Sequence, residues 1–165
     1  MNPQSAIDVL SRTVYGEARN QTPAGMAAVA WVVRNRSDYP RWWGHSIPTV
    51  CLCPWQFSCW NPDDPNRSII ESVDASNPTY CEVIQICGAV IEGRIPDPTK
   101  GADSYFAVGS DAPVWADQAV FTTQIGAHRF YRTELPSLDT QSTNKSVSVP
   151  DQADDLNAAE LRRLS

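Results

Sequence analysis

The chain lacks any run of about 18 consecutive apolar residues, so no segment is expected to span or insert into a membrane. The opening residues, Met1 to Ala6, are polar and carry no basic stretch with an apolar one behind it. No secretory signal is therefore expected. Synthesis in the cytoplasm is expected, with delivery to any site outside it left to something else. Basic residues are not in excess: the net charge is −6 and the pI about 4.8. A nucleic-acid partner, which needs a basic face, is excluded on that ground. Histidine is scarce, with two in the chain, and the five cysteines at 51, 53, 59, 81 and 87 match no standard zinc knuckle. Cys51, Cys53 and Cys59 could hold zinc only with a fourth ligand from far along the chain. Small buried thiols, with one or two bridges among them, are the expected alternative. The odd count leaves at least one thiol free unless a second chain is involved. No metal and no cofactor is expected. There are no internal repeats.

What is present suffices for one core. The chain has 165 residues, 42% of them hydrophobic, which supports a single compact domain and not two. Ile7, Leu10, Val14 and Glu17 recur at steps of three, four and three, predicting a helix from about Ser5 to Ala18. Thr22-Pro23 reads as an N-cap followed by a first-turn proline. The segment Ala24 to Asn35 is apolar nearly all round, as a central buried helix would be. From Ser37 to Pro78 the periodicity fails among prolines, with Trp42, Trp43, Trp55, Phe57 and Trp60 between them. A loop of this length inside a compact domain is usually functional. A third helix is predicted from about Thr79 to Glu92. Short extended pieces follow at Ala102 to Val108 and Val120 to Thr123. The fold class expected is α+β, mostly α, with long aromatic-rich loops.

Residues 1–133 are read as one domain and residues 134–165 as a polar linker with a short C-terminal helix. Residues 134–150 are rich in Ser, Thr, Gln and Asn. Leu156, Leu161 and Leu164 would give the helix its apolar side. The two parts carry net −3 each, from 13 acidic and 10 basic residues in the first and 6 and 3 in the second.

Glu17 is the most informative residue. It shares a stripe with Ile7, Leu10 and Val14 and stands at a helix C-terminal end. The helix dipole there prefers cations, and burial costs a carboxylate its hydration. Both effects disfavour the charged form, as a general acid requires. The alternative is a glutamate that marks where the stripe leaves the core, paired with Arg19.

Five segments carry a resemblance. Val14-Tyr15-Gly16-Glu17-Ala18-Arg19, followed by Gly25 to Arg36, resembles the signature of the SleB-type cell wall hydrolases, which include the spore-cortex-lytic enzymes. Pro54-Trp55-Gln56-Phe57-Ser58 resembles the Gln-Phe-Ser segment of that family. Asp97-Pro98-Thr99-Lys100-Gly101-Ala102 with Tyr105-Phe106 resembles its Asp-Pro-Thr-x-Gly-Ala stretch, and Ile125 to Tyr131 its closing Ile-Gly-x-His-x-Phe-Tyr. The resemblance implies a lysozyme-like catalytic domain acting as a lytic transglycosylase on the bond between N-acetylmuramic acid and N-acetylglucosamine, with peptidoglycan glycan strands as partner. It places the catalytic acid/base at Glu17. Trp42-Trp43 and Cys51-Leu52-Cys53 depart from the family pattern.

One carboxylate is enough for that reaction, because the 6-hydroxyl of the sugar serves as nucleophile. An ordinary glycoside hydrolase needs two carboxylates, and Asp97 and Asp103 are the candidates for a second in a muramidase. Asp97 can equally cap its turn. Substrate contacts are expected from Gln56, Phe57, Tyr105, Trp115, Thr123 and His128. His128 could instead be a packed, hydrogen-bonded residue. A polar tail on a stand-alone catalytic domain fits a phage lysin or a virion component, with a protein assembly engaged through the tail. An inactive structural or wall-binding protein, and a peptidase using Cys59 and His128, are the readings from other classes.

Overall fold

The computed structural model describes residues 5–133. The linker and helix expected over 134–165 lie outside the described residues.

Three long helices carry the fold. α1 (Ala6–Ala18), α2 (Pro23–Asp38) and α5 (Pro78–Ile91) begin alike, with a polar side chain accepting a backbone N–H. Ser5 accepts from Asp8, Thr22 from Gly25 and Asn77 from Tyr80. A proline follows the cap in α2 and α5, where its missing N–H costs nothing. Between α2 and α5 the chain forms two short helices, α3 (Ile47–Cys51) and α4 (Asn66–Ser72), and a 3₁₀ turn at Ser58–Trp60. The proline-broken region is therefore more regular than its periodicity predicts. Helices of one or two turns are too short to show a period, though Ser46 and Thr49 form a capping box at the start of α3.

The core explains why α2 is apolar on all sides. Met26, Val29, Ala30 and Val33 join Leu10, Val14, Val83, Cys87 and Val90 in one cluster between α1, α2 and α5. Ala28 and Val32 pack in a second cluster with Ala102 and Phe130. α2 is thus buried between the helical layer and a small sheet. Val32 and Phe130 are fully buried. Burial of an aliphatic or phenyl side chain contributes about 1.5–3 kcal/mol, so this contact holds the sheet to the helices. The predicted stripe on α1 is only partly buried: Leu10 and Val14 are inside, but Ile7 is exposed. Val9, Thr13 and Ala18 complete the inner face.

The sheet has order β1-β3-β2, all antiparallel, from β1 (Ser104–Ala107), β2 (Val120–Ile125) and β3 (His128–Arg132). β3, the central strand, is the element that alternation in the sequence does not reveal, because His128, Arg129 and Arg132 interrupt its apolar residues. Gly126, at φ 55°, turns β2 into β3.

The turn leading into β1 is built on Asp97. Its carboxylate accepts from Thr99 N at 2.8 Å, Thr99 Oγ1 at 2.6 Å and Gly101 N at 2.8 Å. Asn35, buried on α2, donates to Asp97 at 3.0 Å and to the Ala102 carbonyl at 3.0 Å. One amide thereby fixes where β1 starts, and so where Tyr105 stands relative to α1.

Candidate active site

Glu17 sits in the last turn of α1, half-buried, on the wall of a cleft of about 430 Å³. Three donors meet its carboxylate. Oε1 accepts from the backbone N–H of Cys59 at 3.1 Å and from Ser58 Oγ at 3.4 Å; Oε2 accepts from the Tyr105 hydroxyl at 3.4 Å. The surroundings are more polar than the apolar stripe on α1 predicts, because the stripe ends one turn earlier and other chain segments close over the side chain.

Gly16 makes that closure possible. A Cβ there would lie 2.5 Å from Cys59 Cβ and 2.8 Å from its Sγ. Only a residue without a side chain lets the Ser58–Trp60 turn approach α1 closely enough for its amide to reach Glu17. The turn is held by further contacts to the same helix. Trp60 Nε1 donates to Thr13 Oγ1 at 2.9 Å, and Arg67 spans the Trp60 ring and its carbonyl. Arg19 does not pair with Glu17. Its guanidinium donates to Asn66 Oδ1 at 2.7 Å and to the carbonyls of Tyr15 and Gly16 at 3.3 Å each, bracing α1 against α4.

Tyr105 presents its hydroxyl from β1, with its ring packed against His128 at 5.0 Å and Phe130 at 5.7 Å. Burial and the nearby charge of Glu17 hold that hydroxyl well above its ordinary pKa. It therefore stays a donor. His128 is buried behind Tyr105, and desolvation pulls its pKa down, which favours the neutral ring.

Arg36 is a cleft residue not expected at the site from the sequence. It is buried, donates from Nε to the Asp103 carbonyl at 2.6 Å and from Nη1 to Gln56 Oε1 at 3.3 Å. Its guanidinium lies 5.3 Å from the Trp43 ring and 5.5 Å from the Phe57 ring. Burial lowers its pKa below the ordinary arginine value. A charged group at the end of an otherwise apolar helix was the available signal. With its oxygen engaged by Arg36, Gln56 has its NH₂ group to offer a ligand.

Of the residues expected at the site, Glu17, Gln56, Phe57, Tyr105 and Trp115 line this cleft together. Thr123 and His128 do not line it: Thr123 lies in β2 opposite Phe130, and His128 stands behind Tyr105. Trp42, Trp43, Trp55, Ser58, Ser104 and Thr133 line it in addition. Among the described residues, Glu17 is the one acidic side chain on the cleft lining. Asp97 is occupied in its turn, and Asp103 accepts from Thr133 N at 3.0 Å and Thr133 Oγ1 at 2.9 Å. All five cysteines are free thiols. Burial raises the Cys59 pKa, and Cys59 touches the Thr13 carbonyl, which makes it a poor nucleophile.

The fold is shared with solved proteins. The catalytic domain of the germination-specific lytic transglycosylase SleB from Bacillus anthracis superposes with a TM-score of 0.61 at 26% identity, covering 80% of this chain and 99% of that one. The catalytic domain of the Bacillus cereus SleB protein does so at 0.61 and 25%, covering 80% and 94%. No curated protein matches the sequence. The family model for cell wall hydrolases matches residues 20–131, beginning just past Glu17. A match over more than half the length, on a fold shared across nearly all of both solved domains, establishes that the chain belongs to the cell wall hydrolase family.

Proposed function

We propose that this enzyme degrades peptidoglycan as a lytic transglycosylase, cutting between N-acetylmuramic acid and N-acetylglucosamine with Glu17 as the single acid and base. The observation that carries the reading is the solitude of Glu17 on the cleft lining among the described residues. An ordinary hydrolase places two carboxylates about 5–10 Å apart across the bond. Here Asp97 and Asp103, the candidates for a second carboxylate, are engaged in structural hydrogen bonds, Asp97 within its own turn and Asp103 with Thr133.

In this mechanism Glu17 donates its proton to the bridging oxygen as the bond from that oxygen to C1 breaks. The leaving sugar departs with a hydroxyl group. Positive charge develops on the ring left behind, and the substrate's acetamido group stabilises it. The 6-hydroxyl of the same sugar then bonds to C1, and its proton returns to the Glu17 carboxylate. The product carries a 1,6-anhydro end, and no water is consumed. The Cys59 amide, Ser58 and Tyr105 support the carboxylate in the interval when it is charged. Gln56, Phe57, Tyr105 and Trp115 are the sugar contacts of this reading.

The test is product analysis on purified peptidoglycan. Mass spectrometry should find anhydro-muramic ends, lighter by one water than the reducing ends a muramidase leaves. Glu17→Gln should lower turnover by about 10²–10⁴-fold, the range for loss of general acid–base catalysis. Reducing ends would replace transglycosylation with hydrolysis. Undiminished clearing by Glu17→Gln would remove Glu17 from the chemistry.

A further inference from the structure

The cleft does not end at the reacting group. Trp42 and Trp43 line both the Glu17 cleft and a second, more apolar hollow of about 370 Å³ bounded by Pro48, Leu52 and Pro54. Trp55 stands on the lining of the Glu17 cleft as well. We propose that Trp42 and Trp55 form a stacking subsite for a pyranose ring of the glycan strand, outside the two sugars that flank the cleaved bond. The proposal rests on the reading that a glycan strand occupies the cleft.

Three observations carry it. Trp42 is 63% exposed and Trp55 77% exposed, so packing accounts for neither tryptophan. Trp55 also adopts φ 65°, in the left-handed region that a bulky residue seldom occupies and that is disfavoured without a compensating role. A glycine or asparagine would sit there without that cost, yet the position presents an indole to the cleft. Trp42, for its part, is braced from behind. Its ring lies 5.5 Å from Trp43, which is buried and anchored by its Nε1 to the Arg36 carbonyl at 3.0 Å. Arg36 and Arg41 lie over the Trp43 ring at 5.3 and 5.8 Å. The arrangement holds one exposed indole in place before a ligand arrives, which lowers the ordering cost of binding.

Charge points to the same occupant. A protein of net charge −6 gains no long-range attraction from a polymer rich in carboxylates. Affinity must come from the uncharged faces of the sugars, and a flat apolar ring with a polar N–H at its edge suits a pyranose.

The experiment is calorimetric titration of the Glu17→Gln protein with neutral chito-oligosaccharides, from the disaccharide to the hexasaccharide. Affinity should rise with length. Trp42→Ala and Trp55→Ala should each weaken the hexasaccharide by about tenfold while changing the disaccharide little. Both positions are exposed, and thermal melts should match the parent. Raising salt should change the parent's affinity by less than about twofold, because no charge is involved. The subsite is refuted if the variants equal the parent at every length, if the loss is the same at every length, if no oligosaccharide binds, or if salt abolishes binding. Digestion of peptidoglycan by the Glu17-containing proteins separates the two readings. Length-dependent, tryptophan-dependent binding without cleavage by the wild type would remove the transglycosylase reading and leave the subsite. Cleavage of long strands with the same KM in wild type and both tryptophan variants would do the reverse.

Discussion

Two single residues test the geometry around Glu17. Gly16→Ala would drive a methyl group into Cys59 Cβ at 2.5 Å. Overpacking of this kind costs about 1–3 kcal/mol, and relief requires the Ser58–Trp60 turn to move off α1, taking the Cys59 amide from Glu17. A lower urea midpoint and strongly reduced turnover are expected. Adding Cys59→Ala should rescue neither, because the Cβ that clashes is still present. Tyr105→Phe keeps the ring and its packing on His128 and Phe130 but removes the donor to Glu17. Hydrogen bonds to charged groups contribute about 1.5–3 kcal/mol, and the 3.4 Å length favours the low end. Turnover should fall about tenfold with little change in the melting temperature. A variant as active as wild type would show that the hydroxyl does not act on Glu17.

At the scale of elements, the coupling between α2 and the sheet is the structural hinge of the site. Asn35 reaches both Asp97 and the Ala102 carbonyl. Asn35→Ala leaves those acceptors short of a buried donor, at a cost of about 1–3 kcal/mol. A urea titration should show a lower midpoint at an unchanged slope. β3 carries a second test. His128 is buried with Nδ1 unpartnered, and desolvation depresses its folded pKa below 6.5. Below that value the unfolded chain takes up the proton more readily than the folded one. The stability His128 contributes is therefore whole above about pH 6.5 and is lost as pH falls through the folded value. The melting temperature of the wild type should drop on acidification across that window, and His128→Asn should flatten the drop. Equal pH profiles would place the acid sensitivity elsewhere. Elements also differ in how well they show in sequence. α1, α2 and α5 announce themselves by caps, first-turn prolines and periodic apolar residues. α3 and α4 are too short for a period, and β3 is half polar because its paired neighbours, not its own alternation, make it a strand.

For the whole molecule, the cysteines report on packing and not on cross-linking. Cys51, Cys59 and Cys87 are buried, and burial pushes the thiols of Cys51 and Cys87 up to about 12. Native thiol titration should find Cys53 and Cys81 reactive, and denaturation should expose all five. Reductant should leave the melting temperature unchanged; a fall would reveal a disulfide. The sequence alone was sufficient for the class of fold, the three main helices and the position of Glu17, since caps, prolines and a 3.6-residue period are local properties that survive without neighbours. It could not say that Asp103 is engaged by Thr133, that His128 stands behind Tyr105, or that Arg36, Trp42, Trp43 and Trp55 share a cleft with Glu17. Those facts depend on contacts between residues tens of positions apart, such as Gly16 with Cys59 and Asn35 with Ala102. Long-range packing chooses among the many partners a polar or aromatic side chain could have, and only the folded chain shows which it chose.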